Sequence, residues 1–266
     1  MNTINLLTKF WHFNWLTLVI SLCLIVFQLF TGRNTPSGKK LLFYLGIILL
    51  LLSTVSPLAY LGMGYLFSAH MIEHIILLLV VPPLLLSGIN PSLLGRLQKS
   101  GFKKPGDFLF TPVVAWLLGI GAMYIWHIPV LFDAMKRSPL LHGIHIISLL
   151  ILGFIFIWPV YTPIPWKKLN PLQCVLYLFI ACVGCTILGI FITFAPSNLY
   201  THSFYGHNPA IWNLVRNTWG IDSSVDQQAA GLIMWVPACI IYITNILVIL
   251  GGYYSQKSID KEEIQI

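Results

Sequence analysis

The sequence predicts an all-α, polytopic membrane protein folded as a bundle of seven transmembrane helices. Of its 266 residues, 57% are hydrophobic and 9% are charged, and the mean hydropathy is +0.83. A helix of about 20 apolar residues crosses a bilayer, because its backbone polar groups are then satisfied within the segment. Apolar runs of about this length occur at residues 15–31, 41–61, 66–88, 111–132, 139–160, 172–195 and 228–252.

These runs define one transmembrane domain, residues 1–254, which includes a long outer loop at 196–227. A polar cytoplasmic tail at 255–266 follows, and we expect it to be flexible. The five cysteines all fall inside apolar runs, so a disulfide framework of the secreted type is not expected.

The distribution of basic residues predicts the orientation of the bundle. With the N-terminus outside, the inner loops and tail hold eleven of the 15 Lys and Arg residues, and the outer segments hold four. Because cytoplasmic loops are enriched in Lys and Arg, the predicted topology is N-out and C-in. The net charge of +7 therefore reflects topology. The basic residues form no stripe or arm, so the expected partner is the lipid bilayer and not nucleic acid.

Five histidines are predicted to lie at one depth of the membrane. His70 and His74 open the third run, His127 lies near the end of the fourth, and His142 and His145 open the fifth. In the N-out topology these three ends all face outward. The i,i+4 and i,i+3 spacings keep each pair on one face of its helix. Because polar groups at this depth face the bundle interior, the five imidazoles predict an outward-facing metal site.

Two acidic residues are candidates to support that site. Glu73 is the only acidic residue within any predicted span, and Asp226 stands at the outer mouth of the seventh. Each is predicted to orient an imidazole or to balance the charge of a cation, and Glu73 could also be a ligand. His202 and His207, in the outer loop, are better explained as solvated histidines.

Sulfur-containing residues bear on the identity of the metal. Imidazole alone suits zinc or Cu(II), whereas imidazole with thioether suits Cu(I), so copper is expected and zinc is the alternative. Methionine is also an ordinary filler of membrane cores. Close helix packing is the favoured explanation for the small residues of Cys182-Val-Gly-Cys185. The candidates for transit of a soft metal are Met71, Met123, Met234, Cys182 and Cys185.

Other functions fit parts of the pattern. His70-Met-Ile-Glu73-His74 matches the H-x-x-E-H motif of the inverzincins, in which the Glu is the base. An intramembrane zinc metallohydrolase is therefore an alternative, provided that another histidine supplies the third ligand. A haem-binding electron carrier with paired histidine ligands is a second alternative. Ion transport is disfavoured, because the inner halves of the runs contain no His, Asp, Glu, Lys or Arg.

Several motifs occur in a characteristic order between about residues 60 and 250. They are His70-Met-Ile-Glu-His74, Pro82-Pro83-Leu-Leu-Leu-Ser-Gly88, Trp126-His127-Ile-Pro129, His142-Gly-Ile-His145 and Asp226-Gln-Gln-Ala-Ala-Gly-Leu-Ile-Met-Trp235. Together they resemble the CtaG family, the multi-span assembly factors associated with caa-type cytochrome c oxidase in Gram-positive bacteria.

The resemblance implies a non-enzymatic factor of the bacterial plasma membrane that helps to mature cytochrome c oxidase, by delivering copper from an extracytoplasmic site. A subunit of the oxidase is then the expected partner, and a copper donor protein is a further candidate. The positions of this chain that match the family motifs are His70, His74, His127, His142, His145 and Asp226.

Overall fold

The computed structural model describes residues 3–11, 13–33, 35–196, 199–200 and 203–264. Within these ranges the regular structure is helical, without a strand, which confirms the all-α prediction. The helices in chain order are α1 (Thr3–Lys9), α2 (Trp15–Thr31), α3 (Ser37–Val55), α4 (Pro57–Gly64), α5 (Phe67–Ile75), α6 (Val81–Gly88), α7 (Pro91–Lys99), α8 (Lys103–Leu109), α9 (Pro112–Trp126), α10 (Pro129–Arg137), α11 (Pro139–Tyr161), α12 (Pro171–Phe194), α13 (Pro209–Asn213) and α14 (Ser223–Ile264).

Every predicted run is helical, but fewer than seven helices meet the length and hydropathy expected of a membrane span. Among the described residues, five do so: Ser37–Val55, Phe67–Gly88, Pro139–Tyr161, Pro171–Phe194 and Ser223–Ser255. Helices α8 and α9 form a sixth if the 67° bend between them belongs to one span. Helix α2, at the first run, is apolar but has 17 residues. The number of crossings and the N-out orientation remain predictions.

Helix breaks refine the predicted boundaries. Ser56 separates α3 from α4, because its side chain caps α4 and Pro57 takes the first helical position. The fourth run breaks after Trp126, because Ile128 precedes a proline and adopts an extended conformation. His127 therefore lies at the end of α9, not inside a helix.

The predicted outer loop and tail contain more helix than the sequence indicated. Residues 196–227 include α13, a π-helical turn at Leu214–Thr218, and the start of α14 at Ser223. At its other end α14 continues to Ile264, through much of the predicted tail. The flexibility of that tail remains a prediction.

A π-helical segment, Ile76–Val80, joins α5 to α6 in a continuous third span. Pro82 and Pro83 cannot donate backbone hydrogen bonds to the preceding turn, and the widened turn accommodates that loss. Gly153 on α11 packs against this segment, since a Cβ added there would lie 2.5 Å from the carbonyl oxygen of Leu78. The third span therefore accommodates its two prolines through a widened turn and stays continuous.

Close packing of α12 against α14 forms another part of the bundle. A Cβ added at Gly231 would lie 2.6 Å from the backbone nitrogen of Thr193, so the two backbones approach closely. The start of α14 in turn contacts the start of α5 through Asp226. The N-terminal ends of α5, α11 and α14 and the C-terminal end of α9 consequently meet at one end of the bundle.

Candidate metal centre

Three buried histidines converge at this end of the bundle. His70 and His74 come from α5 and His145 comes from α11; a ligand nitrogen of each lies within 4.8 Å of the other two. The ring centroid of His145 is 5.2 Å from that of His70 and 5.3 Å from that of His74. The i,i+4 spacing turns both imidazoles of α5 toward α11. We call these three residues the histidine triad.

The triad has the donor chemistry of a cation site. Nδ1 of His70 and both ring nitrogens of His74 and His145 are buried, and no other described residue forms a hydrogen bond with them. Buried polar atoms are normally hydrogen-bonded, so this many unpaired nitrogens need an explanation. Imidazole nitrogens bind metal at about 2.0–2.1 Å, which places the ligands of one ion within roughly 4.2 Å of each other. A small inward movement of the three rings would satisfy that distance.

His127 lies next to the triad, but it is not among the residues whose ligand nitrogens all lie within 4.8 Å of one another. Its ring centroid is 5.0 Å from that of His74. Nδ1 of His127 contacts the backbone oxygen of Met123, and Nε2 lies 3.2 Å from Sδ of Met71. The hydroxyl of Tyr200 donates a hydrogen bond to the His127 carbonyl at 2.7 Å, which holds the break after α9 in place.

His142 lies between the triad and the exterior of the bundle. Its ring centroid is 6.0 Å from that of His145, and it is only partly buried. It lines a cavity of about 300 Å³ together with Met63, Met135 and Lys136. Of the five predicted histidines, the structure thus brings four together in the interior and leaves His142 at their edge.

Asp226 supports the triad by capping the helix that carries it. Its carboxylate accepts hydrogen bonds from the backbone N–H of Phe67 at 2.6 Å and of Ser68 at 3.0 Å, and from the Ser68 hydroxyl at 2.6 Å. These backbone groups belong to the first turn of α5, where a negative charge also favours the helix dipole. Asp226 therefore positions His70 and His74 through the helix backbone.

Glu73 lies beside one ring of the triad. One of its carboxylate oxygens is 3.7 Å from Nδ1 of His70, and both side chains are buried. This separation is longer than a hydrogen bond. Glu73 is thus close enough to balance the charge of a bound cation.

Lys136 also lies near the triad, although its place in a predicted outer segment did not indicate this. Its ammonium donates a hydrogen bond to the carbonyl of Gly62 and lies 5.2 Å from the ring centroid of Phe132 and 5.1 Å from that of Phe204. The Phe132 ring in turn lies 5.4 Å from the ring of His70. The sequence does show that Lys136 follows Phe132 by four residues, so the two side chains share one face of α10.

The environment of Lys136 is electrostatically unusual. Burial lowers the pKa of its ammonium, and the negative charges of Glu73 and Asp226 oppose that shift. A cation that enters the triad would therefore meet one nearby positive charge and two nearby carboxylates.

Three of the cysteines, Cys182, Cys185 and Cys239, pack at the α12–α14 interface. The sulfur of Cys182 lies 2.7 Å from that of Cys239, and Cys185 lies 3.0 Å from the carbonyl oxygen of Met234; all the cysteines are free thiols. These contacts fit the packing explanation. Among the described residues, the group of atoms close enough to share a metal ion contains neither Cys182 nor Cys185. A role for the cysteines or Met234 in metal transit remains a prediction.

Of the two histidines in the outer loop, the structure describes His207, which is not part of the triad. His207 lines an open cavity with Tyr60 and Met63. His202 lies outside the described residues.

The fold and the site define a helical membrane bundle with a buried imidazole centre at one end. The chain belongs to the Caa3_CtaG family, described as cytochrome c oxidase caa3 assembly factor, whose profile matches residues 22–256. The resemblance read from the ordered motifs is therefore confirmed. The apolar helices and the family together fit a multi-pass membrane protein.

Similar proteins occur in mycobacteria. "Uncharacterized protein ML1998" of Mycobacterium leprae (strain TN) is 27% identical over 221 residues, covering 77% of this chain and 32% of that protein. "Uncharacterized protein Mb0105" of Mycobacterium bovis (strain ATCC BAA-935 / AF2122/97) is 28% identical over 145 residues, covering 48% of this chain and 22% of that protein. The chain thus spans about a third or less of the length of these relatives. No solved structure matches it.

Proposed function

We propose that this protein is an assembly factor that binds copper at the histidine cluster and delivers it to a subunit of cytochrome c oxidase. The observation that carries the proposal is the convergence of three buried imidazoles, five of whose six ring nitrogens are buried with no hydrogen-bond partner among the described residues. Family membership supports the role in oxidase assembly. Imidazole ligands suit copper, and zinc is the alternative metal.

The proposed topology has seven spans, with the N-terminus outside and the C-terminus in the cytoplasm of a bacterial cell. The excess of Lys and Arg in the inner segments supports this orientation. It directs the end of the bundle that holds the triad toward the extracytoplasmic side. Copper handed to an oxidase from outside requires a site that faces this way.

The residues of the cluster have separate roles in the proposal. The triad holds the ion, and His127 is a further ligand or a gate. His142, at the edge of a cavity of about 300 Å³, connects the triad to the exterior. Glu73 balances charge, and Asp226 holds α5 in position. Handover requires an exchangeable site, and a partly exposed histidine beside a buried one provides a route for exchange.

A zinc metallohydrolase is the second candidate function. The observation that favours it is Glu73, which lies within 3.7 Å of His70 in an H-x-x-E-H motif, with His145 available as the third ligand. This candidate predicts that a Glu73→Gln variant retains zinc but loses hydrolysis of a peptide substrate. The copper proposal instead predicts no hydrolysis by the wild type.

Haem binding is less well supported by the packing of the rings. His70 and His145 stack with a centroid separation of 5.2 Å, which leaves no gap for a porphyrin between them. A Soret band in the purified protein would restore that candidate.

Delivery of copper is tested in cells that lack their own copy of the gene. The wild-type gene should restore the copper content and activity of the oxidase, whereas a His70→Ala, His74→Ala variant present in the membrane at the same level should not. His207→Ala serves as the matched control. Full restoration by the double variant would contradict the proposal.

A further inference from the structure

The contact between His127 and Met71 brings two electron-pair donors together. Nδ1 of His127 faces the Met123 carbonyl, which can only accept a hydrogen bond, so the ring carries its proton on Nδ1. A neutral imidazole has one N–H, which leaves a lone pair on Nε2. That lone pair points at the sulfur of Met71 from 3.2 Å, and a thioether has no proton to donate. Both side chains are buried.

Two lone pairs repel, so the contact between Nε2 of His127 and Sδ of Met71 is favourable only if a proton or a cation lies between or beside them. A second proton on His127 would place a charge in an apolar interior, with the ring of His74 5.0 Å away, and that is costly without a paired anion. A soft metal cation satisfies both lone pairs, because imidazole with thioether is a donor set that suits Cu(I).

A third donor is close to the same point. Met71 and His74 are three residues apart on α5 and therefore share a face of that helix. Both ring nitrogens of His74 are buried and find no hydrogen-bond partner in the part of the chain that the structure describes. His74 is thus placed between the triad on one side and the His127–Met71 pair on the other.

We infer that His74, His127 and Met71 form a second metal position, selective for Cu(I), beside the triad. The inference rests on the proposed function and deepens it by naming the oxidation state of the ion. His74 belongs to both positions, so an ion moves from one to the other by exchanging its remaining ligands. Zinc is held by imidazoles alone and gains little from a thioether, so the second position favours copper over zinc.

The inference is tested by X-ray absorption of the full-length protein in detergent, loaded anaerobically with one equivalent of Cu(I). The wild type should show sulfur as well as nitrogen around copper. A Met71→Leu variant, which keeps a similar volume, should show nitrogen only. Ile75→Leu is the matched control, because Ile75 is buried on the same helix and carries no sulfur.

Affinity provides an independent readout. In competition with a chromogenic Cu(I) chelator, Met71→Leu should weaken Cu(I) binding about tenfold, the lower end of what loss of a supporting contact costs a metal site. Binding of Zn(II) should be unchanged in the same variant. Ile75→Leu should resemble the wild type with both metals.

The outcomes separate this inference from the proposed function. Wild-type protein that binds no copper would overturn the proposed function and this inference with it. Wild-type protein with copper bound by nitrogen alone, or a Met71→Leu variant that keeps the sulfur signal, would overturn only the second position. A wild-type spectrum with nitrogen alone overturns the second position even if the variant fails to fold.

Discussion

The carboxylate of Asp226 accepts hydrogen bonds from both the backbone N–H and the hydroxyl of Ser68, so the start of α14 caps the start of α5. Two residues beyond Ser68, the same helix presents the first histidine of the triad. The helix that supplies two of the three imidazoles is therefore anchored to a neighbouring helix at the end where the site lies. The geometry of the triad therefore depends on Asp226, which acts through the backbone of α5.

Asp226→Asn should destabilise the protein by about 1–2 kcal/mol, because it removes the charge and one acceptor from a buried helix cap. Its melting temperature, followed by the helical circular dichroism signal in detergent, should fall. Asp133→Asn is the control: Asp133 pairs with Arg137 at the surface, and such pairs contribute about 0–1 kcal/mol. Equal losses of stability in the two variants would contradict the role of Asp226 as a cap.

Gly62→Ala should disturb the contact between α4 and α5. An added Cβ would lie 2.9 Å from the backbone nitrogen of His70, so the backbone must shift, at a cost of about 1–3 kcal/mol. Gly121→Ala is the control, because nothing lies within 4 Å of its added Cβ and alanine favours a helix by about 0.5–1 kcal/mol. Thermal unfolding should move in opposite directions in the two variants. A Gly62→Ala protein as stable as Gly121→Ala would show that the close approach is not present.

Lys136→Met should strengthen binding of Cu(I) or Ag(I) by roughly tenfold, since like charges at close range repel by an energy on the order of 1–4 kcal/mol. Lys136→Arg keeps the charge and should bind the ion as weakly as the wild type. Competition titrations at neutral pH measure the difference. Unchanged affinity in Lys136→Met would mean that the ammonium does not act on the bound ion.

The same residue predicts a dependence on pH. Burial lowers the pKa of Lys136 below its usual range near 10.4, so the side chain loses its charge as the pH rises through this lowered value. Repulsion of a bound cation is present below that pKa and is lost above it. Wild-type affinity should therefore rise with pH through this window, in addition to any effect of the histidines. Lys136→Met should lack the additional rise, and parallel curves for the two proteins would contradict the prediction.

His145→Ala and His142→Ala should have different effects, although the two residues lie three positions apart on α11. His145 belongs to the triad, so its loss should remove most bound copper at equilibrium. His142 lies at the edge of the cavity, so its loss should mainly slow transfer of copper to a chelator. Copper content and transfer rate distinguish the two variants. Loss of copper in His142→Ala alone would reverse the assigned roles.

Much of this arrangement was predictable from the sequence. Hydropathy located a helix at every predicted run, and depth counting from the ends of those runs placed His70, His74 and His145 at one level, where the structure brings them together. Helical spacing identified which imidazoles share a face. The helices and the shared faces were predictable because they rest on local periodicity, whereas the depth of the histidines in a bilayer stays a prediction.

The remaining features depend on contacts between distant parts of the chain. Asp226 and Ser68 are 158 positions apart, and His127 and Met71 are 56 apart, so no local pattern predicts either contact. Asp226 was expected beside an imidazole or a cation, whereas the structure shows it capping a helix. The position of Lys136 near the triad follows from the break after α9, which redirects α10, and from the fold of α4 against α5.

The central claim is that the triad binds copper, and the copper content of the detergent-purified, full-length protein tests it most directly. After loading with copper and removal of loosely bound metal, the wild type and His207→Ala should retain copper, and the His70→Ala, His74→Ala variant should retain almost none while keeping its helical signal. Equal copper in the wild type and the double variant would contradict the account.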